Sequence, residues 1–410
     1  MRIALFVETY LPMINGVVTH VKILKDGLEQ LGHQVLIVTA DPHTHRHYLQ
    51  NNVLHCPAVE MKRFYGFGLS SPVDVRRLKI IADFHPDIIH IHQEFSIGLF
   101  GVAASRILKV PLVYTLHTMY DEYIYYIAPR PLTKATKRFS HKYIKFFAQH
   151  AASVTGPSQK CAEYLRAAGV NKSVNIIPNP VELDAFSPRN ISQQAKDAAL
   201  RTLQEKYGVA RDAMLSCFVG RLGREKSVDV LLSFWAKAIT PADKLHLIVI
   251  GDGPVRPELQ QQAQELGISQ MVSFTGSIMH DQLPPYLAVC DAYVTASLSD
   301  TNSISMKEGM AAGLPVLQLY DQLNADQIQE GKNGFVFRSA EELAEKLRKL
   351  REMSPEQRQT LSQSVMESVS GASAKNLAGY LLEIYQQAID SRKKAEPTIS
   401  SFSFSPDRYR

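Results

Sequence analysis

The chain has 410 residues, 45% hydrophobic and 21% charged, which describes a globular protein long enough for two cored domains. A formal net charge of +5 without a basic ribbon interleaved with aromatics argues against a nucleic-acid partner. No apolar run reaches ~18 residues, so no membrane-spanning helix is expected. The four cysteines, Cys56, Cys161, Cys217 and Cys290, lack C-x-x-C spacing and read as free thiols of a cytoplasmic chain.

Short apolar runs alternate with amphipathic segments along the chain, the pattern of parallel sheets with crossover helices. In the first half, strands are expected at Arg2–Val7, Gln34–Thr39, Ile88–His92, Leu112–Leu116 and Ser153–Gly156. Met1–Val7 leads through a glycine loop at Asn15-Gly16 into a helical pattern, and is not read as a leader peptide. His90 and His92 stand two apart at a strand end. No third ligand has a suitable spacing, so no metal is expected there. His117 follows the fourth strand, at the edge where such sheets bind ligands, and is read either as structural or as a ligand contact.

The segment from Pro129 to His150 places Arg130, Lys134, Lys137, His141 and Lys145 on one helical side and Leu132, Ala135, Phe139, Tyr143 and Phe146 on the other, with Arg138 as a further cation. Such a helix suits an anionic lipid surface. Equally, its aromatic face could pack on the protein's own sheet, leaving the cations solvated. In the run IIPNPVELDAFSP that follows, Pro178, Pro180 and Pro188 predict an extended, stiff interdomain linker.

The second half repeats the scheme, with strands expected at Met214–Val219, Leu245–Ile250, Val272–Thr275, Ala292–Thr295 and Val316–Leu319. The first ends in a glycine turn carrying Arg221 and Lys226 before a helix, which reads as an anion site. Gly251 and Gly253 of GDGP follow a strand, but the third glycine of a dinucleotide loop is missing. Asp300 and Glu308 lie eight positions apart, one before a helix start and one inside it. Carboxylates beside helix-terminal amides suggest a sugar nucleotide, with hydroxyls for the acids and phosphates for the amides. From Ser391 onward the chain is polar and aperiodic, and is expected to be disordered.

These segments, in this order, resemble glycosyltransferase family 4, a retaining, nucleotide-sugar-dependent group of GT-B fold. The opening MRIALFVETYLPMINGVVTHVK, then FHPDIIHIHQEF, VYTLHTMYDEY, FVGRLGREKSVDVLL and LIVIGDGPVRPEL carry the likeness, which extends to about Ile389. It implies two Rossmann-like, doubly wound parallel-sheet domains facing across a cleft. An acceptor-binding domain would span 1–180, with a helix at about 372–389 packing back on it, and a nucleotide-sugar domain 181–371. Gly16 would contact the donor, and His117 would hydrogen-bond the transferred sugar, with Thr118 adjacent. Arg221, Lys226 and the amides around Asn302, Ser303 and Ile304 would stabilise the leaving diphosphate. Glu308 would bind ribose, Asp300 the sugar hydroxyls, and Gly251, Gly253 and the backbone around Ile278 the nucleotide.

His117, Thr118, Tyr120 and Asp121 are similar to the branch that makes glucosyl-diacylglycerol. The resemblance therefore implies glucose transfer from UDP-glucose to a lipid hydroxyl without a metal, on the inner face of the cell membrane. Two positions depart from the family: Asp300 stands where a Glu is usual, and Ser303 where a Gly is, a position at which Ser would resist φ > 0. Another nucleotide sugar, a soluble sugar acceptor, or a weakly active sugar-nucleotide-binding subunit are the alternatives.

Overall fold

A computed structural model describes residues 1–13, 15–61, 67–123 and 132–395. The first domain is built on a sheet of β1 (Arg2–Phe6), β2 (Gln34–Asp41), β3 (Tyr48–Gln50), β4 (Val53–Met61), β5 (Phe67–Ser70), β6 (Ile88–Ile91), β7 (Leu112–Thr115), β8 (Ser153–Gly156) and β9 (Val174–Ile176). Its order is β3-β4-β2-β1-β6-β7-β8-β9, with β5 pairing off β4. Pairing is parallel except where β3 and β5 meet β4. The second sheet comprises β10 (Met214–Val219), β11 (Leu245–Ile250), β12 (Val272–Gly276), β13 (Ala292–Thr295), β14 (Val316–Leu319) and β15 (Gly334–Phe337), ordered β12-β11-β10-β13-β14-β15 and parallel throughout.

The ten expected strands are present with ends within two residues. Strands β3, β4, β5, β9 and β15 were not expected. β3, β9 and β15 are three or four residues long, and β4 carries Pro57 and Glu60, which disguise its period. In both sheets the chain reverses direction beside the first strand, between β1 and β6 and between β10 and β13. That switch point opens a crevice at the carboxyl ends of the strands.

Apolar layers cover both faces of the first sheet. One contains Phe6, Ile91, Phe100, Tyr114 and Phe147. The other contains Ile3, Leu5, Val21 and Leu24 and is closed by Leu377, Leu381, Ile384 and Tyr385 from the far end of the chain. Those four lie on helix Ala374–Ala395, which returns from the second domain to pack on helix Gly16–Gln30. Gly27 makes the approach possible, since a Cβ there would stand 2.2 Å from the carbonyl oxygen of Ala374. Residues 391–395 are thus the last turn of a packed helix and not part of a disordered tail; its apolar seam is held down by the first domain. The rest of that tail lies outside the described residues.

Candidate functional site

The loop after β10 and the loop after β13 leave one edge of the second sheet and are knotted together there. Lys226 Nζ lies 2.5 Å from Asp300 Oδ1, Ser299 Oγ donates to Glu225 O at 2.8 Å, and Asn324 Nδ2 donates to Asp300 O at 2.7 Å. Burial works to raise the Asp300 pKa, but the Lys226 ammonium prevails and holds it below the usual carboxylate value. Arg221 Nη2 is 2.5 Å from Oε1 of Glu225, a carboxylate with no exposed side-chain surface. The cations and the first acid, read separately from the sequence, therefore lie in two ion pairs linked through Ser299 and the backbone of Glu225.

Ser303 is the N-cap of helix Ile304–Ala311, with φ −64° and ψ 121° and its hydroxyl accepting from the Met306 amide. The expected conflict between Ser and a left-handed backbone does not arise. Inside that helix Glu308 Oε1 is 2.8 Å from His280 Nε2. The hydrogen bond that His280 donates to Glu308 raises the His280 pKa, against burial. Ile278, two residues before His280, packs partly buried on the second core. Gly251, at φ +139°, and Gly253 lie in a loop pressed on the Arg221 turn: added Cβ atoms would meet Gly220 O at 1.9 Å and Leu222 O at 2.3 Å. Their lack of a side chain serves this backbone packing.

Across the cleft, helix Gly16–Gln30 points its amino end at helix Ile304–Ala311. A Cβ on Gly16 would sit 4.0 Å from Ile304 Cδ1. The joint between the domains is Asn179, in the proline-flanked linker. Its amide donates to Asn302 Oδ1 at 2.9 Å, its Nδ2 donates to Asn302 O at 2.6 Å, and its carbonyl accepts from Lys307 Nζ at 2.6 Å. Both oxygens of Asn302 are thus engaged in the joint, which leaves the expectation for its backbone amide untouched. Lys307 is buried, and burial pushes its pKa down to about 7. A second joint runs from Lys160, on helix Gln159–Ala167, to Asp321 at 2.7 Å and to the carbonyl of Leu298. With side-chain exposures of 7% and 10%, this is a buried ion pair. Asn179, Lys160, Lys307 and His280 were all missed in the sequence. Only Asn179, a polar residue between two prolines, carried any local signal.

His117 follows β7 at the first sheet's carboxyl edge, with Nε2 3.0 Å from His92 Nδ1 and its ring edge-on to His20 at 4.6 Å. The His90–His92 pair considered from sequence is divided. His90 bonds to Tyr385 and Thr115 at 2.6 and 2.7 Å, while His92 faces His117. Burial lowers the pKa of all four rings, that of His20 to about 4. Thr118 follows, half-buried. Beyond it, Tyr120 donates to Glu94 Oε2 at 2.5 Å and Tyr114 to Oε1 at 2.6 Å. Glu94 is a buried acid absent from the sequence reading, and burial pushes its pKa up to about 7.

Asp121 binds Lys137 at 2.7 Å and His141 at 3.1 Å, both on helix Thr133–His150. Arg130 lies outside the described residues. The two-sided division expected of this helix holds only toward its end, where Ile144, Phe147 and Ala148 are buried. Lys145 there is half-buried. In the leading half Lys134, Ala135, Lys137, Arg138 and Phe139 are all exposed, Phe139 by 69% and the preceding Leu132 by 55%. Among the described residues Phe139 stacks on Tyr143 and is otherwise exposed, so this end of the aromatic side is not buried in the core. Meanwhile His141, counted on the basic side, turns inward to Asp121 and Tyr164. Among the described residues no helix is long and apolar enough to cross a membrane.

Two family profiles match consecutive stretches: Glycosyltransferase Family 4 over residues 14–185 and Glycosyl transferases group 1 over residues 201–366. The chain is 30% identical over 404 residues to alpha-monoglucosyldiacylglycerol synthase of Acholeplasma laidlawii, covering 96% of this chain and 99% of that protein. It is 31% identical over 398 residues to the synthase of the same name from Streptococcus pneumoniae, covering 95% and 87%. Among solved structures it resembles Anabaena HepE in complex with UDP and glucose, with a TM-score of 0.71 at 18% identity over 94% of this chain and all of that one. A sucrose-phosphate synthase from Thermosynechococcus elongatus gives 0.72 at 18% identity over 95% and 99%. At such identity these structures speak for the fold alone.

Proposed function

The chain belongs to glycosyltransferase family 4 and has the GT-B fold, and on that premise we propose that it moves glucose from UDP-glucose onto a hydroxyl of diacylglycerol with retention at the anomeric carbon. The observation that carries this reading is the end-to-end similarity to two alpha-monoglucosyldiacylglycerol synthases. The cleft geometry supports it. In the proposed reaction the bond from the sugar's anomeric carbon to the diphosphate oxygen breaks, and UDP leaves with the electron pair. The acceptor oxygen bonds the same carbon from the same face, and its proton passes to a diphosphate oxygen.

Charge grows on the diphosphate as this happens, and groups aimed at growing charge lower the barrier most. Lys226 and Arg221 have this role. Their ion pairs with Asp300 and Glu225 hold the cationic heads in place before the donor arrives. The amides of Ser303, Ile304 and Ser305 complete the phosphate site at the helix start. Asp300, with Oδ1 on Lys226, faces the sugar hydroxyls, and Glu308, with Oε1 on His280, faces the ribose. His117 and Gly16 close the sugar's other side. The nucleotide lies along Gly251, Gly253 and Ile278.

With two cations and helix amides on the diphosphate, transfer needs no metal, and activity should survive EDTA. The exposed Leu132, Lys134, Arg138 and Phe139 hold the protein peripherally on the anionic inner face of the cell membrane. Incubation with UDP-glucose and dioleoylglycerol in mixed micelles should yield an α-glucosyl lipid, identified by its anomeric proton coupling. A β-linked product, or transfer to soluble sugars only, would overturn the reading.

A further inference from the structure

Three histidines from separate elements meet on the first-domain side of the cleft. His20 comes from helix Gly16–Gln30, His92 lies one residue beyond β6, and His117 two beyond β7. One ring nitrogen of each lies within 4.8 Å of those of the other two. The 3.0 Å between His92 Nδ1 and His117 Nε2 is close to the ~3.3 Å edge of a tetrahedral centre with metal–nitrogen bonds of ~2.0–2.1 Å.

The hydrogen bonds around Asn179 determine which nitrogen of His20 is available. Asn179 Nδ2 donates to Asn302 O, so Asn179 Oδ1 is the atom facing His20 Nδ1 at 3.0 Å. Nδ1 therefore carries the proton, and Nε2 presents a lone pair. That Nε2 is buried without a hydrogen-bond partner among the described residues, as is Nε2 of His92. An amide oxygen fixing the far nitrogen of an imidazole is the outer support that metal-bound histidines characteristically have.

We propose that His20, His92 and His117 form a binding site for a divalent transition-metal ion that favours imidazole nitrogen, of the Zn²⁺ or Co²⁺ class. Water fills the remaining position from the side of His117, which is partly exposed while the other two rings are buried. His92 Nδ1 and His117 Nε2, which now share one proton, both turn lone pairs to the ion, and the proton moves to the other nitrogen of its own ring. The ion is not part of the transfer reaction. Resting on the function proposed above, we add that it inhibits transfer, because it withdraws His117 from the sugar.

Titration of the chelator-treated full chain with Co²⁺ should give the intense visible bands of a four-coordinate site, saturating at one equivalent and removed by Zn²⁺. His20→Ala and His92→Ala should each weaken Co²⁺ binding by at least ~10-fold. Unchanged binding in both variants would overturn the site. Should a variant fail to fold, the wild type decides: Zn²⁺ must shift the ¹⁵N resonances of the His20, His92 and His117 rings. Shifts confined to surface histidines such as His43 and His45 would refute the proposal. Binding without inhibition would leave the metal site standing and count against the sugar role of His117.

Discussion

Lys226 and Asp300 show at the level of single residues how much one pair distance changes a prediction. Removing Lys226 does more than delete a cation: it leaves Asp300 uncompensated beside the diphosphate. Arg221→Ala and Lys226→Ala should each lower turnover by ~10²-fold or more with the fold retained, and Lys226→Ala should be the worse of the two. Steady-state turnover at saturating donor checks this; near-normal values in both would remove the phosphate site from this loop. Asp300 faces the sugar in the proposed arrangement and Glu308 the ribose that donors share. Asp300→Glu should therefore change the ratio of rates between UDP-glucose and UDP-galactose more than Glu308→Asp does. The residue types of the candidate site were legible in the sequence because most stand beside a strand end or helix start, with Glu308 one turn inside its helix. Their partners were not. Lys226 finds Asp300 74 positions away and Lys160 finds Asp321 161 away, and no local pattern encodes such a meeting.

Among the elements, parallel strands with continuous apolar runs were readable to within two residues even at four residues long, whereas the three-residue β3 and β9 and the nine-residue β4, interrupted by Pro57 and Glu60, were not. Their form depends on the neighbour they pair with more than on their own composition. Helix Thr133–His150 was readable as basic and amphipathic, but among the described residues its leading half is exposed on both sides. Exposed Phe139 and Leu132 beside exposed Lys134, Arg138 and Lys142 make a stronger case for a lipid contact than a packed aromatic face would. Changing Lys134, Arg138 and Lys142 together to Glu should abolish most co-sedimentation with phosphatidylglycerol liposomes. Wild-type binding should fall as salt rises, because screening acts over ~8 Å at physiological ionic strength. Transfer to a dispersed short-chain diacylglycerol should persist in the same variant. Co-sedimentation unaltered by the charge reversal would reduce the helix to a solvated overhang.

For the molecule as a whole, the order of elements along the chain announced two doubly wound sheets, but not how firmly they are joined. Asn179 and Lys160 bridge the cleft, and the terminal helix crosses it. That helix supplies Leu377, Leu381, Ile384 and Tyr385 to the first core. At ~1.5–3 kcal/mol for each buried large side chain, the four together match the ~5–15 kcal/mol by which a domain is stable. Deleting residues 374–410 should therefore leave the first domain unfolded or aggregated, seen as protease sensitivity of residues 1–180. A truncated chain with a protected first domain would contradict this.

The same returning helix orders events during synthesis. Nascent domains ordinarily fold from the amino end as they emerge, at ~5–20 residues per second. Here the strands and helices of the second domain leave the ribosome before the residues that close the first, so one face of the earlier domain, with Ile3, Leu5, Val21 and Leu24, waits for its cover for tens of seconds. Until the terminal helix emerges that uncovered face is open to aggregation, and a prematurely terminated polypeptide leaves it uncovered.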